Sequence, residues 1–474
     1  MREVQIDPIS LERLARLLDP TRAELLMARA DLARQLLDGR VVWNVNATAS
    51  GGGVAEMLTT LLAYSRGAEV DARWLVLDGN PEFFKITKRL HNLLHGSTGD
   101  GGGMGEAERR VYDDVLADNA ERLKTQVKAG DVVLLHDPQT AGLVEGLHEV
   151  GATVVWRCHI GKDDTTEQTD LGWAFLKPYL TKADAVIFSR AAYVPSWVDQ
   201  ERLRVIPPSL DPFSTKNVEL RAVDVHSALH ASGLADIPNH QGSLEFERRD
   251  GSRGTVRSHE NLFAAGEVIP GDARLVMQVS RWDRLKDMTG VLRAFVDNLS
   301  KFPSDVHLAL VGPEVSGVSD DPEGAEVLEE CVAMWGELPE EQQQRVHLVA
   351  VPMDDVDENA HLINALQHHA TVVVQKSLVE GFGLTVTEPM WKGKPVVASK
   401  VGGIQDQIVD GVSGLLLDDP KDLEGFADLR DKVLEDEELA RQLGLEARER
   451  VRAMFLGDRH LVQYVQLFAE LLEI

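Results

Sequence analysis

Short apolar runs alternate with longer amphipathic stretches along this chain, and they do so in two successive sets. The first set is Val41–Val45, Trp74–Leu77, Val132–His136, Val154–Cys158 and Ala185–Phe188. The second is Leu275–Val279, His307–Val311, His347–Val351, Thr371–Gln375, Pro395–Ser399 and Gly414–Leu417. Apolar runs without polar alternation suit strands buried on both faces, and the intervening stretches suit crossover helices, so each set predicts a doubly wound parallel α/β sheet of the Rossmann kind. At 474 residues and 43% hydrophobic, the chain can fill both cores. Ligands of such sheets bind beyond the carboxyl ends of the strands, so the loops that follow the strands are where chemistry is expected.

One of these loops joins the run Thr371–Ser377 to Glu380-Gly-Phe-Gly-Leu-Thr-Val-Thr-Glu388. Glycines at 381 and 383 let the backbone approach a ligand where a side chain would collide. Pro389 belongs in the first turn of a helix, which predicts a helix opening near Thr385 with free N–H groups and a positive dipole end. A diphosphate fits such an end. Glu388 is then placed for ribose hydroxyls and Glu380 for those of a transferred sugar. Taken alone, the two acids also read as a helix cap and a solvated loop residue.

Upstream, Leu275-Val-Met-Gln-Val-Ser-Arg281-Trp-Asp-Arg-Leu-Lys286 carries a strand into a loop with a guanidinium and an ammonium five positions apart. Together they suit the charge that develops on a departing diphosphate, although a surface cluster would look the same. A third strand-to-helix junction passes through Gly51-Gly52-Gly53 before the helical pattern Ala55–Arg66. No Gly-Lys-Ser follows and the GxGxxG spacing is missing, so neither NTP hydrolysis nor NAD binding has its usual signal.

Gly51-Gly-Gly-Val54, His159, Ser280-Arg281-Trp-Asp-Arg-Leu-Lys286 and Glu380-x7-Glu388 stand in the order found in retaining family 4 glycosyltransferases, which the chain resembles over nearly its whole length. Within that family, Trp43-Asn-Val-Asn-Ala-Thr-Ala, Asp71-Ala-Arg-Trp, Glu82 to Lys88, His136-Asp-Pro-Gln139 and Trp156-Arg-Cys-His-Ile-Gly161 look like the trehalose glycosyltransferring synthases and related trehalose phosphorylases. The resemblance implies a GT-B architecture, two Rossmann-like doubly wound domains facing across a cleft. Expected divisions are an acceptor-side domain over 1–265 with a polar insertion at about 235–265, a nucleotide-sugar domain over 266–456, and a helix at 457–474 crossing back to the first domain. The implied activity is transfer of glucose from ADP-, UDP- or GDP-glucose to glucose with retained configuration, forming trehalose by front-face substitution in which the leaving phosphate deprotonates the acceptor. Trehalose phosphorylase is the second reading; another sugar-acceptor transferase, a nucleotide-sugar epimerase and a non-catalytic sugar-binding protein stand behind it. Under this resemblance His159, Arg281, Lys286 and Glu380 are catalytic. Gly52, Gly53, Gly381, Phe382, Gly383, Leu384 and Glu388 bind the donor, while Asp137, Gln139, Lys162 and Asp163 bind the acceptor, with His136 beside them. Without it, His159 reads as a core histidine and His136-Asp-Pro as a turn with a capping acid. A homodimer is implied as well.

Charge and cysteine content narrow the partners. A formal net charge of −28 repels nucleic acid and anionic membrane, so neither is an expected partner, and an anionic ligand needs a local basic pocket. The two cysteines, Cys158 and Cys331, form no zinc spacing or disulfide framework. The start Met1-Arg-Glu-Val-Gln-Ile-Asp lacks a signal peptide's apolar core, which places the protein in the cytoplasm. Asp163-Asp164, Asp320-Asp321 and Asp354 to Asp357 read as solvated loop acids. With Arg281 and Lys286 taking the place of a divalent ion, no essential metal and no cofactor is expected.

Overall fold

The structure, a computed structural model, describes residues 1–49, 53–238, 241–315 and 322–472. The chain divides into two units, Met1–Leu210 with Phe455–Ile474, and Asp211–Met454. In the first unit β1 (Arg2–Val4), β2 (Val42–Asn46), β3 (Ala72–Val76), β4 (Val132–His136), β5 (Thr153–Cys158), β6 (Ala185–Phe188) and β7 (Leu203–Val205) form one sheet in the order β1-β3-β2-β4-β5-β6-β7. Only the edge strand β1 is antiparallel. The chain builds outward from β2 to β3 and then returns to the other side of β2, so the winding reverses between β2 and β4. Every residue of those two strands is buried, as expected where helices cover both faces. The tryptophans of β2 and β3 keep polar partners: Trp43 Nε1 donates to Asp131 at 3.0 Å and Trp74 Nε1 to Asn46 at 2.8 Å.

The second unit contains β8 (Ala235–Asp236), β9 (Glu245–Glu247), β10 (Arg253–Thr255), β11 (Phe263–Ala265), β12 (Ile269–Pro270), β13 (Arg274–Val279), β14 (Val306–Pro313), β15 (Val346–Val351), β16 (Val372–Gln375), β17 (Val396–Ser399) and β18 (Leu415–Leu417). Seven of them make a sheet in the order β11-β15-β14-β13-β16-β17-β18, again parallel but for the edge strand β11. Here the winding reverses between β13 and β16.

All eleven apolar runs expected to be strands are strands, with ends shifted by a residue or two. The division of the chain differs from expectation. Residues 211–265 belong to the second unit, because the helix Ala222–Ser232 buries Val225, Ala228 and Leu229 against Leu362 and Leu366 of the helix Val356–His369, and β11 completes that unit's sheet. The polar insertion is tied to the same helix. Its hairpin β9–β10 turns at Asp250-Gly251, where Gly251 takes φ +78°. Beside it Arg248 pairs with Asp355 at 2.6 Å, Arg249 with Asp357 at 2.8 Å, and Arg257 with Asp354 at 2.9 Å and Glu358 at 2.5 Å. The acids from Asp354 to Asp357 are therefore ion-paired rather than simply solvated; Asp320 and Asp321 lie outside the described residues. The last helix, Gly457–Leu471, packs Leu467 and Phe468 against Ala33, Leu36 and Leu37 of the first unit, and Arg22 holds Asp458 at 2.6 Å. Among the described residues no helix is long and apolar enough to cross a membrane.

Candidate active site

In the second unit the loops that follow β13 and β16 meet at the winding reversal. Lys286 Nζ lies 2.5 Å from Glu380 Oε2, which also accepts from Ser377 Oγ at 3.3 Å. Two residues chosen 94 positions apart in sequence are thus a direct ion pair. Their placement is enforced from below. Gln278, fully buried on β13, donates to the Lys286 carbonyl at 2.7 Å and accepts the Lys376 amide at 3.0 Å, so one carboxamide ties both loops to the strand. Lys376, also fully buried, forms an ion pair with Asp287, whose left-handed backbone at φ +50° opens the helix Met288–Val296. Arg281 stands apart, its side chain 63% exposed and 3.2 Å from Asp283. An exposed guanidinium can turn toward an arriving anion at little desolvation cost.

The helix expected near Thr385 runs over Leu384–Trp391 and is entered through Gly383 at φ +89°, a conformation that a side chain would strain. The preceding turn is held by Gln407, which donates to the Phe382 carbonyl and accepts from Thr387 Oγ1 at 2.8 Å. A Cβ on Gly403 would lie 2.6 Å from the Phe382 Cα, so only glycine lets this turn sit where it does. The amides that open an α-helix point along its axis and favour an anion, although that of Val386 is already bonded to the Gly383 carbonyl at 2.9 Å. Pro389 is the sixth residue of this eight-residue helix, not part of its first turn, and Glu388 is the fifth. Glu388 is 1% exposed, and its oxygens are taken by Lys216 at 2.9 Å and Gln367 at 3.1 Å. A ribose would therefore have to share a carboxylate that the fold already satisfies.

In the first unit Gly53 opens the helix Gly53–Gly67 after β2, while Gly52 lies outside the described residues. His136 ends β4 and His159 follows β5. Their rings, 15° from coplanar, join through His136 Nδ1 and His159 Nε2 at 3.1 Å, and His136 Nε2 meets Asn44 Oδ1 at 3.0 Å. Burial and the nearby Arg157 cation lower His136 to about 3 and hold His159 well below the usual imidazole range, so both are neutral near pH 7. Asp137 takes φ +65°, a costly backbone for a residue with a side chain, and its Oδ1 accepts the His159 amide at 2.7 Å. Burial pushes its carboxyl up to about 7. The nominated acceptor residue Asp137 thus also positions His159. Gln139 lies on the short helical turn Pro138–Leu143, half-buried. Asp163 is paired with Arg190 at 2.7 Å, and the Lys162 side chain lies beside Gly96, where an added Cβ would come within 2.7 Å of Lys162 Cδ. Neither cysteine fits a chemical role: both are buried, and burial raises their thiols, that of Cys331 to about 12.

Residues 44–195 match the family described as trehalose synthase, N-terminal domain, and residues 261–450 match glycosyl transferases group 1. The trehalose synthase of Pyrococcus horikoshii is 34% identical over 92% of this chain and 91% of its own length. This chain belongs to the trehalose synthase family of group 1 glycosyltransferases. It is a glycosyltransferase of trehalose metabolism. The trehalose phosphorylase of Pleurotus sajor-caju is similar at greater distance, 27% identical over 81% of this chain and 52% of its own length. Among solved structures, the sucrose-phosphate synthase of Thermosynechococcus elongatus matches with a TM-score of 0.63 at 20% identity, over 91% of this chain and 99% of its own, which is likeness in the GT-B fold.

For a member of this family the motif residues were legible, but their supports were not. Gln278, Asp287, Lys376, Lys216, Gln367, Gln407, Asn44 and Arg157 all contact a nominated residue or its loop, and none was singled out. A signal existed for several. Polar residues inside otherwise apolar runs, Asn44 in Val42–Asn46, Gln278 in Arg274–Val279 and Arg157 in Thr153–Cys158, are costly unless paired. Arg157 is fully buried and donates to Tyr464 at 2.6 Å and to the Ile206 carbonyl at 2.9 Å, with His460 Nε2 2.8 Å away.

Proposed function

We propose that this glycosyltransferase moves glucose from a nucleoside diphosphate glucose, the base being adenine, uracil or guanine, onto glucose with retained configuration, giving α,α-trehalose. The observation that carries the proposal is the Lys286–Glu380 pair at the winding reversal, with exposed Arg281 and the start of the helix Leu384–Trp391 on the same unit. In this reading Lys286, Arg281 and the first helical amides receive the diphosphate. Glu380 holds donor hydroxyls, with Gly381 to Leu384 supplying backbone amides. As the anomeric C–O bond to the diphosphate breaks, the acceptor oxygen forms its bond on the same face and its proton passes to the leaving phosphate oxygen. No carboxylate nucleophile is required and the cations stand in for a divalent ion, so chelator should leave the rate unchanged. Asp137, Gln139, Lys162 and Asp163 are assigned to the acceptor, and the protein is taken to act as a cytoplasmic homodimer.

One observation favours phosphorolysis of trehalose as the second reading. Glu388 is satisfied by Lys216 and Gln367, which is what a residue with no ribose to bind would look like. The test is to incubate the protein and glucose with ADP-, UDP- or GDP-glucose without phosphate, following the products by NMR. A non-reducing α,α-disaccharide with free nucleoside diphosphate is expected; no product, but phosphate-dependent release of glucose 1-phosphate from trehalose, would replace the first reading by the second.

A further inference from the structure

Asn44 presents Oδ1, which can only accept, to His136 Nε2 at 3.0 Å, so that nitrogen must carry a proton. A neutral imidazole has one N–H; His136 Nδ1 is therefore a bare acceptor. The atom facing it at 3.1 Å, His159 Nε2, must then be the donor, and in a neutral His159 the remaining nitrogen, Nδ1, is bare in turn. Neutrality follows from the neighbours. Arg157 on β5 is a buried cation close by, held by His460 and Tyr464 of the last helix, and a second proton on either ring would place cations side by side. His460, itself held neutral by burial, also faces this cluster, as does Asp137, whose carboxyl is engaged by the His159 amide rather than by either ring.

We propose that Asn44 and His136 are positioning residues that lock His159 in the tautomer protonated on Nε2, so that His159 meets its ligand as a hydrogen-bond acceptor, through Nδ1, for a sugar hydroxyl. The hydroxyl as ligand rests on the glucose-transfer reading; the tautomer does not. A relay of this kind makes His159 selective for a group with a proton to give, and a sugar carbon lacking its hydroxyl would leave Nδ1 unpaired at a cost of about tenfold in kcat/KM.

The test uses the full-length protein with nitrogen-15 histidine and long-range nitrogen–proton correlation, the two resonance sets being identified with His136→Gln and His159→Gln. Expected are single tautomers for His136 and His159, both protonated on Nε2, unchanged from pH 8 to pH 5. A proton on His159 Nδ1, a mixture of tautomers, or a doubly protonated ring would overturn the proposal. Asn44→Leu, which keeps the volume and removes the acceptor, should release the lock and give a mixture in His159, whereas Asn44→Asp should keep it. In assays with the set of monodeoxyglucoses as donor moiety or acceptor, one position should lose about tenfold in the wild type and far less in Asn44→Leu. Equal losses in both would remove the hydroxyl assignment. Absence of any transfer, with the expected tautomers seen, would sink the glucose-transfer reading and leave the lock standing.

Discussion

Two lysines that follow neighbouring strands, Lys286 half-buried and Lys376 fully buried, illustrate how similar side chains divide between chemistry and folding. Lys286 and Glu380 keep 16% and 11% of their side-chain surface, whereas Lys376 keeps none. Lys286→Met should reduce turnover on the order of a hundredfold, the usual cost of one charge-stabilising donor, while shifting the melting temperature little. Lys376→Met should instead leave Asp287 without its buried partner and destabilise the protein by about 3 kcal/mol. Initial rates and urea unfolding of the two variants separate these outcomes, and a stable Lys286→Met of unchanged rate would remove Lys286 from the site. The sequence marked Lys286 through its spacing from Arg281. It could not mark Lys376, since nothing local distinguishes a lysine that ends a strand in solvent from one that ends it against Asp287.

The helix Val356–His369 and the inserted segment before β11 show the same limit for whole elements. Periodicity finds the helix, and turn chemistry finds the hairpin at Asp250-Gly251, but their attachment is a matter of three arginines reaching four carboxylates some hundred positions away. These pairs differ in worth. Glu358 is 2% exposed, so Arg257→Ala removes the only cationic side chain paired with it among the described residues, leaving the backbone amide of residue 257 at 2.6 Å and His259 at 3.3 Å, and should cost about 3 kcal/mol. Arg249→Ala touches a pair half open to water and should cost under about 0.5 kcal/mol. Equal losses for the two in urea unfolding would refute this ordering. The helix Leu384–Trp391 carries the complementary lesson. Local pattern puts Pro389 in the first turn, yet tertiary packing tolerates it one turn later, with Glu388 in the core.

For the molecule as a whole, acid should be the weak side. His136, His347 and His361 are at most 3% exposed, and burial lowers the first to about 3 and the others to about 4. Because these folded-state values lie below that of a histidine in the unfolded chain, the unfolded state takes up protons first. Stability is therefore fully present above about pH 6.5 and is lost as pH falls toward 4, by about 1.4 kcal/mol per pH unit for each group. Asp137 works the other way, since its folded value near 7 favours proton uptake by the native state as pH falls. Three histidines outweigh one aspartate, and thermal melts at pH 7, 6 and 5 should show a falling melting temperature; a flat profile would mean these imidazoles are charged in the fold.

Apolar runs and glycine-bearing junctions were enough to lay out the parallel strands of both sheets and the loops that carry Arg281, Lys286, Glu380 and His159, because strand burial and loop position follow from local pattern. What pattern could not reach were the pairings across tens to hundreds of positions: Glu388 with Lys216, Lys376 with Asp287, Asn44 with His136, and the assignment of 211–265 to the second unit. Each depends on which polar group is left facing which once the cores have closed. That choice is made by desolvation in three dimensions and leaves no spacing in the chain.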